Sequence, residues 1–136
     1  MNHSINIPIT LTSEQCHSVL HTGLAGGIGY WDLDMRNSKY FEGDLISFEI
    51  ECTDTPAVPL PTLDDADEAT KDGEWTEVNE HTVVAGLRRV IAGGVCAGYI
   101  RDEILALVNG DGVEYADADQ ADVILQAGLF GELVYG

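Results

Sequence analysis

The sequence predicts one α+β domain, a small antiparallel sheet with about four helices packed on it. Three observations carry that prediction. The chain has 136 residues, the usual size of a single domain. Its hydrophobic content of 45% is enough to build a buried core. Its apolar residues switch along the chain between alternation and helical stripes, with no fixed-period repeat.

Each element follows from its residues. Ile5, Ile7, Ile9 and Leu11 alternate with polar or turn residues, which reads as a strand with one buried face. Pro8 has no N–H to donate, so that strand belongs at an edge. Thr12-Ser13-Glu14-Gln15 is a capping box, with Thr12 as N-cap and Gln15 reaching back. The helix that follows carries Cys16, Val19, Leu20, Gly23 and Leu24 on one stripe, and Gly26-Gly27 stops it. Ile28 to Trp31 reads as the start of an extended segment. Leu45, Ile46, Phe48 and Ile50, with Glu49 and Glu51 between them, make Asp44 to Cys52 a strand with a negative outer face. Residues 53–73 hold three of the four prolines and an acidic run, and read as a loop or hairpin tip. Trp75 to Val78 is a short strand suited to pair with Asp44–Cys52.

Asn79 is placed to cap a helix through Val83, Val84, Leu87, Val90 and Ile91, ended by Gly93-Gly94. Tyr99 to Val108 carries another helical stripe, broken by Asn109-Gly110-Asp111-Gly112. Asp117 and Gln120 repeat the capping logic before a last helix bearing Ala121, Ile124, Leu125, Gly128 and Leu129. The first and last helices are expected to pack together, with Trp31 and Phe130 supplying large apolar area. Leu129, Phe130, Leu133, Val134 and Tyr135 leave an apolar end, from which a homodimer is expected.

Charge narrows the function classes. There are 24 acidic residues against 6 Lys and Arg, a net charge of −18. Direct binding to nucleic acid or to an anionic membrane is disfavoured, because the phosphate term would be repulsive. A basic protein surface would be attracted. The acids are concentrated: from Asp44 to Glu80 the only base is Lys71, and after Arg101 there is none. The candidate partner-binding residues are therefore Asp44, Glu49, Glu51, Asp54, Asp64, Asp65, Asp67, Glu68, Asp72, Glu74 and Glu77. The plainer reading is that the acidity serves solvation alone.

Catalytic chemistry finds little support. Cys16, Cys52 and Cys96 are odd in number and widely spaced, which argues against a disulfide framework and a structural zinc site. His17 and His21 share a helical face, but no H-E-x-x-H accompanies them and a third ligand would have to come from far away. Gly26-Gly27-Ile28-Gly29 closes a helix, whereas phosphate-cradling glycines open one. The run Asp64 to Glu68 lacks the pattern of a calcium loop. Asp32 with Asp34, and Asp117 with Asp119, have no nucleophile or base beside them in sequence. The expectation is a non-enzymatic protein without metal or cofactor. Met1 to Pro8 is polar and no apolar run approaches membrane-spanning length, so the expected location is the cytoplasm.

Two segments resemble a family of small uncharacterised phage proteins. One runs from Leu11-Thr12-Ser13-Glu14-Gln15 through Thr22-Gly23-Leu24-Ala25-Gly26-Gly27-Ile28-Gly29-Tyr30-Trp31, similar to the family's GGIxYW-like turn after a capped helix. The other, from Asp117-Ala118-Asp119-Gln120-Ala121-Asp122-Val123-Ile124-Leu125-Gln126 to Leu129-Phe130-Gly131-Glu132-Leu133-Val134-Tyr135-Gly136, resembles its closing DADxADVxLQ…LFGExVYG. The acidic middle is unmatched. The resemblance implies a phage or prophage origin, hence a host cytoplasm, and no particular activity. Charge and that origin together give the expected function: an acidic inhibitor of a host antiviral defence system, of anti-CRISPR or anti-restriction type. It would occupy a basic nucleic-acid site of a host protein or complex by charge mimicry. The alternatives are a phage interaction or assembly module, and a protein that sequesters a nucleotide signal through Gly26–Gly29 with Arg88, Arg89 or Arg101.

Overall fold

A computed structural model describes residues 11–31, 33–51 and 75–135. Among them lie three strands in one antiparallel sheet and four α-helices, the α+β architecture expected. Residues 5–10 of the expected first strand and the acidic segment 53–73 lie outside the described residues.

Thr12 caps α1 (Ser13–Thr22) by the reciprocal box read from the sequence: its side chain accepts from the Gln15 N–H, and Gln15 accepts from the Thr12 N–H. The chain does not stop at Gly26-Gly27 from an α-helix; α1 ends at Thr22 and widens into a π-helical turn, Gly23–Gly27. Nor do the residues that follow extend, for Gly29–Trp31 is a short 3-10 turn. Burial of Ile28 and Trp31 explains both departures, because the curled path drives these two side chains inward.

The sheet runs β1 (Met35–Phe41), β2 (Asp44–Glu51), β3 (Trp75–Asn79), in that spatial order. β2 pairs with β3 as expected, with Phe48 opposite Val78 and Ile50 opposite Thr76. β1 was not legible: its side chains are almost all exposed, so no alternation marks it. A two-residue turn at Glu42-Gly43, both with positive φ, joins it to β2, and such turns suit the natural twist of a hairpin. Register shifts along the β1–β2 ladder let Leu45 join Phe48 and Ile50 in the core despite their odd spacing.

Asn79 caps α2 (Glu80–Ala92) and Asp117 caps α4 (Ala118–Phe130), each with a capping box. Between them lie α3 (Gly98–Asn109) and a 3-10 turn, Val113–Tyr115. Every residue from Ala121 to Phe130 is buried, so α4 is the central helix of the domain. α2 crosses it at backbone distance. A Cβ on Gly86 would overlap the Ile124 carbonyl oxygen, and one on Gly128 would overlap that of Thr82. Arg89 pins the crossing by donating to the Ala127 and Gly128 carbonyls at 2.7 and 3.0 Å, in the last turn of α4 where a cation also suits the helix dipole.

The first helix and the turn after it pack on α4, as the sequence suggested. Asp122 and Gln126, one turn apart, are its buried polar residues. Asp122 accepts from the Trp31 indole at 2.8 Å, the Gln126 amide at 3.0 Å and the Tyr30 hydroxyl at 2.5 Å. Although the residue is 53% exposed, local desolvation of its hydroxyl, followed by that bond to Asp122, pushes the Tyr30 phenol up to about 12. The Trp31 ring lies 5.8 Å from Phe130. Among the described residues no buried side-chain nitrogen or oxygen lacks a partner.

The crossing makes a direct prediction. Gly86→Ala should destabilise the domain by about 1–3 kcal/mol, since the added methyl must push two backbones apart. Urea unfolding followed by circular dichroism measures it; a change under about 0.5 kcal/mol would show the crossing to be loose.

Candidate protein-binding face

The structure brings three of the proposed partner-binding acids together. Glu49 and Glu51 sit two apart on β2 and so share a face, and Glu77 of β3 stands directly opposite Glu49. The helices pack on the other side of this sheet through Leu45, Phe48, Ile50 and Val78, which leaves the three carboxylates on the outer face.

Two like charges facing each other across strands are destabilising. β1 relieves them. Arg36 is the strand partner of Glu49, and its Nε donates to Glu49 Oε1 at 2.9 Å. Asn37 donates to the same oxygen at 2.5 Å. Asn37 first and Arg36 second hold the Glu49 carboxyl below the usual carboxylate range. The Arg36 guanidinium also lies 3.9 Å from the centre of the Trp75 ring, a cation–π contact that fixes its position. Glu77 accepts from Asn79 at 2.8 Å, a neutral donor. Among the described residues Glu49 is thus paired with a cation, while Glu51 and Glu77 meet none.

Asp44 is elsewhere. It begins β2 at the hairpin and lines a cleft of about 240 Å³ with His17, His21 and Glu114. The shared face of the two histidines is therefore real, and the fold carries two distant carboxylates to it. Even so, among the described residues no three His, Cys, Asp or Glu side chains are grouped so as to hold a metal ion. Asp54, Asp64, Asp65, Asp67, Glu68, Asp72 and Glu74 lie outside the described residues.

Other expectations find their places. Cys16 and Cys96 are free thiols; burial, then the charge of Glu80, pushes Cys16 up to about 11, and burial also raises Cys96. The glycine-rich turn Gly23–Gly27 packs against α4, where a Cβ on Gly27 would strike the Ala118 carbonyl. Arg101 donates to the Ile91 carbonyl at 2.9 Å, and Arg89 is engaged on α4. Two of the three arginines that could have met a phosphate are thus bound to backbone. Leu129 and Phe130, expected to help form a dimer surface, are buried within their own chain. Sequence reasoning missed the exposed rings of Tyr40 and Phe41 on β1, which are 60% and 64% exposed. Among the described residues no helix is long and apolar enough to cross a membrane.

No protein-family model, no curated protein and no solved structure matches the chain.

The Glu49 pairing predicts a pH effect with a definite sign. A carboxyl held low in the folded state contributes stability above its unfolded pKa and loses it as pH falls through the folded value. Asn37→Ala with Arg36→Gln should therefore raise the Glu49 titration midpoint toward the ordinary glutamate range. Carboxyl-carbon NMR would follow it, and an unmoved midpoint would show that the two donors do not set it.

Proposed function

We propose that this protein is a non-enzymatic acidic inhibitor that occupies a basic nucleic-acid site on a host defence protein, of anti-CRISPR or anti-restriction type. The observation that carries the reading is the outer sheet face, where Glu51 and Glu77 stand on paired strands and meet no cationic side chain among the described residues. Glu51 and Glu77 are diagonal neighbours across β2 and β3, a relation that sets backbone positions about 7–8 Å apart, close to twice the ~3.4 Å axial step between phosphates of one DNA strand. The sequence between β2 and β3 carries further acidic residues, from Asp54 to Glu74. A net charge of −18 favours encounter with a basic groove and disfavours nucleic acid itself. The resemblance of both ends to small phage proteins supports a role inside an infected host.

A second reading is a phage interaction or assembly module. It is favoured by Tyr40 and Phe41, two large exposed rings at the hairpin end. The nucleotide-sequestering alternative is weakened by the engagement of Arg89 and Arg101.

Capture from host lysate, with mass spectrometry of what is retained, supplies the partner. Its binding should then be strongly salt-dependent and should compete with DNA or RNA. Glu51→Gln with Glu77→Gln should slow association and flatten the salt dependence while leaving folding intact, as expected for exposed charges. Binding that ignores salt and coexists with nucleic acid would refute charge mimicry and favour the module reading.

A further inference from the structure

The segment that follows α4 is held in an unusual way. Gly131, with φ of +74°, ends the helix in a left-handed turn, a conformation that favours glycine. Residues 131–135 then double back as a strap. Gln126 Oε1 accepts from the Val134 and Tyr135 N–H groups at 2.6 and 2.8 Å, and Gln126 Nε2 donates to the Tyr135 carbonyl at 2.9 Å. One side-chain amide thus supplies what the backbone of a neighbouring strand would supply. The Tyr135 ring stacks on Trp31 at 5.3 Å and 15°, and meets Phe130 edge-on at 5.9 Å. Leu133 and Val134 project outward. The strap's polar hold on the body is therefore three bonds to Gln126 and a longer contact, 3.2 Å, from the Tyr30 hydroxyl to the Tyr135 carbonyl, and its ring lies between two others.

We propose that the seat formed by Gln126, Trp31 and Phe130 is a peptide-binding site for an extended segment carrying a tyrosine, and that a second copy of this chain can fill it by exchanging straps. None of these contacts requires that strap and seat belong to the same chain, which is the condition for exchange of an identical element. Five extended residues reach about 17 Å, enough to cross to an adjoining seat once Gly131 straightens. The intact strap has the advantage of being tethered, equivalent to a local concentration in the millimolar range for a short link. The unaltered protein is accordingly monomeric at micromolar concentration, and exchange shows when one strap is disabled.

Complementation tests this without reference to any host partner. Full-length Tyr135→Ala keeps the seat and loses the ring that fills it. Full-length Gln126→Ala keeps Tyr135 and loses the seat's polar contacts. Each should sediment alone as a monomer, and the mixture should yield a one-to-one heterodimer. A second measurement decides the matter if Gln126→Ala does not fold. Tyr135→Ala, in a Trp75→Phe background so that Trp31 alone reports, is titrated with a synthetic peptide of residues 131–135. Saturable change in Trp31 emission, lost when the peptide carries alanine for its tyrosine, is the expected result. Failure of this titration, or a mixture of folded variants that stays monomeric, would overturn the proposal.

Discussion

A buried carboxyl group in the middle of the central helix is the constraint on which the rest of this domain depends. Asp122 lies in a stretch of α4 that is buried on all sides, and leaving such a group without partners would cost several kcal/mol. Its donors come from three places: Gln126 one turn along, and Tyr30 and Trp31 from more than ninety positions earlier in the chain. The helix therefore cannot be buried unless the turn after α1 has curled to deliver Tyr30 and Trp31. Gln126, drawn into the same network, has its carbonyl oxygen free to hold the strap. Polar satisfaction on one helix thus fixes where the turn after α1 and the segment after α4 go.

Once α4 is the hub, the distribution of charge follows. α2 reaches it through glycines, and Arg89 crosses to its last carbonyls. Arg101 caps α2 in the same manner by bonding the Ile91 carbonyl. Arg36 is paired with Glu49 on the sheet. Several of the chain's few bases are consequently committed to structure, and they offset little of the field presented to a partner. The sheet is the natural place for that field: its inner face is filled with apolar side chains, and its outer face carries glutamates spaced by the strand itself.

Local signals were the legible ones. The three capping boxes or caps at Thr12, Asn79 and Asp117 fixed the starts of α1, α2 and α4, because a cap is a short-range hydrogen bond between residues three apart. The pairing of β2 with β3 was readable from their matched alternation. β1 was not, since a strand exposed on both faces has no hydrophobic period to read. Ile28 to Trp31 misled because its apolar residues resemble a strand, whereas their role is to curl against α4. Of the candidate site, the negative outer face was visible in Glu49 and Glu51, but the neutralisation of Glu49 depends on a strand the pattern did not reveal. Asp122 and Gln126 stood in the predicted last helix but outside its apolar stripe. A polar pair at i and i+4 inside an otherwise apolar helix was the available clue to a buried network.

Asp122 and Trp31 act as a unit across 91 positions of sequence, and a double-mutant cycle tests that coupling most directly. Trp31→Phe removes the indole donor and Asp122→Ala removes its acceptor. The lowered net charge of the second change appears in both arms of the cycle and cancels. Denaturant unfolding of the four proteins should give a coupling energy of about 0.5–3 kcal/mol, the double variant losing less than the sum of the singles. Additivity to within about 0.3 kcal/mol would contradict the account, because the two residues would then stabilise the domain independently.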